Sequence, residues 1–253
     1  RELVTCRLND NTEAENAFQY YDRPTTIFTG SDSVKAGKFS FSFAVPRDIN
    51  YSNGNGLINV YAVNDDHDHI VHGSCDRFLV GGSAELTNDS IGPSIYCYLN
   101  SPSFENGGRV NSTPYFVARL TDKDGINVSG SGIGHNLELI IDGDMNKTYV
   151  LNDNFQYEFG SYTSGSTYYN IPPLAPGKHR LQFKAWDILN NSSTTWLDFE
   201  VAKGLRPNLF SVDVSQNPAR TGTRFIINHD RVGSKMDVEL EVFDTSGRLL
   251  FWH

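Results

Sequence analysis

Cysteine is scarce: Cys6, Cys75 and Cys97 are the three thiols in 253 residues. An odd number with no Cys-x-x-Cys pair supplies neither a disulfide framework nor a tetrahedral zinc set. Cys6 falls in step with Val4 and Leu8, and Cys97 with Ile95 and Leu99, so both read as small apolar residues in strands. Buried free thiols are the simplest reading, and a Cys6–Cys75 bridge is the alternative. No local signature of a cysteine nucleophile surrounds any of the three.

Long apolar runs are missing too. None approaches the roughly 18 to 20 residues that a spanning helix needs, so no transmembrane segment is expected. Positive charge is also short: 21 Lys and Arg stand against 30 Asp and Glu, a formal net charge of −9. Binding to a phosphate backbone rests on Lys and Arg displacing counterions, which argues against nucleic acid as a partner. The opening residues Arg1 to Thr5 carry neither a basic n-region nor an apolar h-region. The chain reads as a fragment, with any export signal upstream.

Helix signals are almost absent, and what is present is strand and turn. The most distinctive stretch runs from Phe116 to Gly143. Phe116, Ala118 and Leu120 alternate with Val117, Arg119 and Thr121. Leu137, Leu139 and Ile141 alternate with Glu138, Ile140 and Asp142, so both runs read as period-2 strands. Between them Gly125, Gly130, Gly132 and Gly134 supply the conformational freedom of a crossover between sheets.

The predicted fold is all-β, a tandem of immunoglobulin-like β-sandwich domains with the last one incomplete. Residues 1–83 form a first segment whose clearest strand is Phe39 to Val45, with Leu57–Val63 and Asp76–Val80 as further strands. Residues 91–203 read as a complete sandwich. Its strands fall at Ser94–Leu99, Tyr115–Thr121, Asn136–Asp142, Thr148–Leu151, Phe155–Phe159, Thr167–Ile171, His179–Trp186 and Thr195–Val201. After the linker Lys203 to Pro207, residues 208–253 offer Leu209–Val214, Arg224–His229, Met236–Phe243 and Arg248–Trp252.

Chemistry-bearing clusters are few. In Asp65-Asp66-His67-Asp68-His69-Ile70-Val71-His72, an extended backbone puts His67 and His69 on one side, as zinc ligands require, with His72 nearby. No Cys or second spaced His pair closes a tetrahedral set, and a solvated hairpin tip explains the same residues. Asp122 and Asp124, in Asp122-Lys123-Asp124-Gly125, imitate the opening of a calcium loop whose later ligands and bidentate Glu are missing. No metal and no cofactor are therefore expected. Asp187, after the strand ending at Trp186, reads as a turn-capping carboxylate. Tyr157, Phe159, Tyr162, Tyr168 and Tyr169 form either an aromatic platform for sugar or peptide, or core and cross-strand packing.

Several short motifs occur in a telling order: Val45-Pro46 with Asp48 to Tyr51, Ile58 to Ala62, Val80-Gly81-Gly82 and Ile91-Gly92-Pro93. They continue with Gly125-Ile126-Asn127, Gly132 to His135, Ile141-Asp142-Gly143, Pro176 to His179, Ala185-Trp186-Asp187, Val242-Phe243-Asp244 and Ser246-Gly247-Arg248. In this order they resemble the region after the peptidase domain of the gingipain-like cysteine peptidases that act as sortases of the type IX secretion system in Bacteroidetes. In that family the catalytic His and Cys lie in an upstream α/β domain, so the resemblance implies no catalytic residue in this chain. It implies the upstream peptidase domain and outer-membrane type IX components as partners, at the cell surface, outer membrane or outside the cell. Residues 208–253, with Asn217-Pro218, resemble the first half of the C-terminal sandwich of type IX secretion proteins and hook-capping domains. A half sandwich leaves an apolar face uncovered, which predicts truncation-dependent self-association. The alternative function is a carbohydrate- or peptide-binding module of a surface adhesin or glycan-utilisation protein, which aromatics exposed together on one sheet face would favour. An autonomous hydrolase would instead need a cleft holding a nucleophile and a base.

Overall fold

Strand pairing begins with a hairpin of β1 (Glu2–Cys6) and β2 (Phe18–Asp22), in register from Glu2 opposite Asp22 to Cys6 opposite Phe18. The computed structural model describes residues 2–6, 18–22, 26–47, 49, 54–66, 68–82, 89–130, 134–207, 209–216, 222–231 and 237–253. A second hairpin joins β3 (Ile58–Val63) to β4 (Ile70–Cys75), with Val63 opposite Ile70. Asn64 closes its tip, its Oδ1 accepting the N–H groups of His69 at 2.9 Å and Asp68 at 3.2 Å. The expected return strand at Asp76–Val80 is therefore misplaced: the ladder forms one segment earlier. Residues 76–80 keep a single bridge between Asn55 and Leu79. Ile70 and Val71, read from sequence as part of the polar tip, are the apolar start of the real strand.

Phe39 to Val45 is the other correction. It is extended but joins no ladder among the described residues, and its turn is a bridge between Lys35 and Lys38 around Ala36 and Gly37 at φ of 51° and 75°. Its alternating phenyls stack on one another instead, Phe39 on Phe41 at 6.1 Å and Phe41 on Phe43 at 6.0 Å. Phe43 continues the stack onto Phe28 at 5.3 Å, and Phe28 reaches Tyr157 at 4.9 Å. Backbone bonds from Gly160 to Ser31 at 2.8 Å and from Arg47 to Ile188 at 3.0 Å fix this ribbon to the middle of the chain. Period-2 aromatics predict an extended backbone; they do not supply a partner strand.

The middle of the chain holds nine strands: β5 (Ser94–Leu99), β6 (Arg109–Val110), β7 (Tyr115–Thr121), β8 (Glu138–Ile141), β9 (Thr148–Val150), β10 (Gln156–Tyr157), β11 (Ser164–Asn170), β12 (Gly177–Trp186) and β13 (Ser192–Val201). One sheet has the order β10-β11-β7-β5 and the other β6-β13-β12-β8-β9. All pairings are antiparallel except the short parallel contact of β6 with β13. The alternation read from the sequence decides what lies between the sheets. Phe116, Ala118 and Leu120 from one sheet meet Leu139, Ile141, Leu181, Phe183 and Ala185 from the other, all buried. Phe116 and Phe183 touch at a centroid distance of 5.2 Å. Each such Leu, Ile or Phe contributes about 1.5 to 3 kcal/mol by leaving water. The core cluster runs from Leu99 to Val201, so the described residues on either side add little to it.

The last described strands are β14 (Leu209–Val214), β15 (Phe225–His229), β16 (Glu241–Phe243) and β17 (Leu249–Trp252), in two separate two-stranded sheets. Their apolar side chains stand largely in the open, Leu209, Val212, Leu250 and Trp252 among them. One tie to the linker is visible: the buried Arg231 guanidinium donates to the carbonyls of Leu205 at 3.0 Å and Arg206 at 2.8 Å. The all-β expectation holds throughout the described residues.

Candidate functional site

The sequence candidates do not converge. His67 lies outside the described residues. His69 sits at the exposed hairpin tip with Nδ1 2.6 Å from Asp68, and His72 lies on β4 opposite Tyr61. Asp122 and Asp124 are more than 40 residues further on, at the end of β7. Among the described residues no three His, Cys, Asp or Glu side chains are gathered as a metal set.

Asp122 is buried and caps its own turn, Oδ1 accepting the N–H of Asp124 at 2.8 Å and of Gly125 at 3.2 Å. Burial raises its pKa, against the pull of those two N–H groups and with the help of the Asp187 and Asp124 charges. Asp124 faces Lys123 at 2.6 Å, and the same ammonium reaches Asp89 at 2.8 Å. That contact is the main reason the Asp89 carboxyl is lowered to about 2. Asp187 does what its place after Trp186 suggests. It is fully buried, and its oxygens take N–H groups of Leu189 and Asn191 and the side-chain amide of Asn191. The crossover is then pinned by bonds from Asn127 to Trp186 at 2.9 Å and from Ile188 to Gly125 at 3.1 Å. Gly130 and Gly134 adopt φ of 61° and 79° there; Gly132 lies outside the described residues.

The three thiols are free and separate. Cys97 packs against the core, and burial pushes its pKa up to about 11 against a bond to Thr195, the reverse of an activated nucleophile. Cys75 is exposed on β4, and His72 on the same strand has opposite parity, so the two point to opposite faces.

The five aromatics, read as either a platform or packing, are split between faces. Tyr157 and Tyr169 pack against the core, and the Tyr157 hydroxyl donates to the Ile126 carbonyl at 2.7 Å. Tyr168 points outward, beside Tyr115 at 6.0 Å, while Phe159 stands exposed in a turn.

A different place gathers functional groups: a shallow cleft of about 540 Å³ on the outer face of the five-stranded sheet, lined by Asp142, Gly143, Lys178, His179, Arg180, Gln182, Trp196 and Asp198. On β12 and β13 Leu181, Phe183, Ala185, Leu197, Phe199 and Val201 go to the core, which sends the alternate residues Arg180, Gln182, Trp196 and Asp198 outward. The register sets Arg180 opposite Asp198 and Gln182 opposite Trp196. Arg180 grips Asp198 with two bonds, 2.7 Å from Nε and 3.0 Å from Nη2, and this ion pair lowers the Asp198 pKa. Asp142 and Gly143, both at positive φ, form the two-residue turn after β8. Burial works to raise the Asp142 pKa, but bonds from His179 at 2.8 Å and from the Arg180 N–H at 3.1 Å win, and it is lowered. Sequence reading passed over Trp196. Its one signal was parity: an indole at an even position of a strand whose odd positions Leu197, Phe199 and Val201 are apolar.

Facing antiparallel sheets around one closed core, with carboxylates spent on turns, define the class: a β-sandwich region. The chain is similar to PorU from Porphyromonas gingivalis, known from the crystal structure of its dimeric latent form, at 35% identity and a TM-score of 0.50. The similarity covers 99% of this chain and 23% of that one, so the chain spans about a quarter of PorU's length. The family resemblance carried by the motifs and the structural match point to the same protein. No protein-family model matches the chain, and no curated protein matches it.

Proposed function

We propose that this chain is the non-catalytic β-sandwich region of a PorU-type, gingipain-like surface peptidase, where it supports the peptidase domain and docks to outer-membrane components of the type IX secretion system. The similarity to PorU along 99% of the chain carries this reading. The chemistry of the described residues is in keeping with it: the Cys97 thiol is held protonated, and Asp122 and Asp187 are committed to backbone N–H groups. β-Sandwiches serve many roles, so the role rests on the match and not on the fold. In this reading residues 1–83, 91–203 and 208–253 act as successive units, and the open strands of the last one provide the docking surface. The parent works at the cell surface.

The test is sedimentation of the purified chain with two preparations of outer-membrane vesicles, one with and one without the type IX machinery. Selective co-sedimentation with the first supports docking; equal sedimentation with both overturns it.

A further inference from the structure

The outer-face cleft around Trp196 has no part in that reading. Its indole stands 57% exposed in mid-strand, held on a sheet whose opposite side is the core. A tryptophan left open there forgoes burial of a large apolar surface, and it offers a flat, rigid apolar plate. Around it are groups that both donate and accept. The Gln182 amide lies directly opposite, and Arg180 and Asp198 lock each other through two bonds. That clamp uses two of the five guanidinium N–H groups and leaves the rest, together with free lone pairs on the carboxylate. Leaving aside His179, whose ring bonds Asp142 and the Ala175 carbonyl, the lining holds two cations, Lys178 and Arg180, and two carboxylates, Asp142 and Asp198. Lining of mixed sign does not single out an anion or a cation as the ligand.

We propose that this cleft binds a neutral saccharide. A pyranose presents a C–H face that packs on an indole and a rim of hydroxyls that are each donor and acceptor. Trp196 takes the face, and Gln182, Arg180 and Asp198 take the rim. The volume lies within the range of about 300 to 1,000 Å³ usual for ligand sites. Its shallow, open form suits a residue within a longer glycan more than an enclosed free sugar. The two Arg180–Asp198 bonds hold the polar groups beside Trp196 in one arrangement, although the pair is solvent-exposed and contributes little by itself.

Affinity electrophoresis of the whole chain in native gels tests this, with soluble mannan, laminarin, dextran or xyloglucan as neutral probes and pectin as an anionic one. At least one neutral polysaccharide is expected to retard the chain. Trp196→Ala should weaken that retardation at least tenfold, and Gln182→Ala and Asp198→Asn roughly three- to tenfold. Circular dichroism shows whether each variant is folded; should Trp196→Ala lose its fold, Trp196→Phe and Gln182→Ala carry the comparison. Retardation by none of the neutral probes, retardation by pectin alone, or retardation unchanged by these substitutions overturns the proposal. Because the probes are purified polysaccharides, failure of membrane docking leaves this result untouched.

Discussion

The Asp187 carboxylate accepts the backbone N–H of Asn191 at 2.7 Å and the side-chain amide of the same residue at 2.8 Å, closing the β12–β13 hairpin from inside. The carboxylate is fully buried and also takes the Leu189 N–H at 2.9 Å. Asp187→Ala leaves those donors without a partner and should destabilise the sandwich by on the order of 3 kcal/mol. Urea unfolding followed by tryptophan fluorescence measures it. A loss below about 1 kcal/mol would show that water replaces the carboxylate.

Asp122 gives a pH-dependent prediction. Its folded-state pKa is raised above 3.8, chiefly by burial, so it favours the folded state fully only below that value. The contribution is lost as pH rises through the folded pKa. Asp122→Asn keeps an acceptor for the Asp124 and Gly125 N–H groups and removes the buried charge. The variant should therefore match or exceed the parent's stability at pH 7 and lose that advantage towards pH 3. Melting temperatures across this range decide it; an advantage that grows on acidification contradicts the assigned direction.

Gly130 and Gly134 hold positive φ in the crossover. A β-branched side chain there is strained by about 1 to 3 kcal/mol. Gly130→Val should cost more than Gly134→Val. A Cβ at 130 meets Asn136 at 3.2 Å and Asn152 at 3.3 Å, whereas position 134 is open. Equal, unchanged melting of both would identify the crossover as a loop that adapts freely.

The strands after Pro207 expose Leu209, Phe210, Val212, Leu250, Phe251 and Trp252. Apolar surface on small sheets with open edges favours pairing with another copy. The whole chain should self-associate, and a chain ending at Lys203 should be monomeric, as read by light scattering. A monomeric whole chain rejects the prediction.

Peptidase inactivity of the chain by itself is a further prediction, motivated among the described residues by the raised Cys97 pKa and by Cys75 and His72 lying on opposite faces of β4. A fluorogenic peptide library should show no turnover. Turnover abolished by Cys6→Ala, Cys75→Ala or Cys97→Ala would reverse the assignment.

The sequence by itself determined which side chains face inward: Phe116, Ala118, Leu120, Leu139 and Ile141 occupy the core their alternation predicts. It also determined the Asp187 cap and the positive-φ glycines of the crossover. These features depend on local geometry, with side chains alternating along a strand and Asx groups closing nearby turns, and a few neighbouring residues suffice to encode them. Partner choice is different, because a strand's hydrogen-bonding groups are the same whatever its sequence. Tertiary structure alone decided that Ile70–Cys75 returns on Ile58–Val63, and that Phe39 to Val45, for all its alternation, joins no ladder among the described residues. It also decided that Arg180 and Asp198 clasp beside Trp196. Register brought together side chains from two strands, and no periodicity within either one records the meeting.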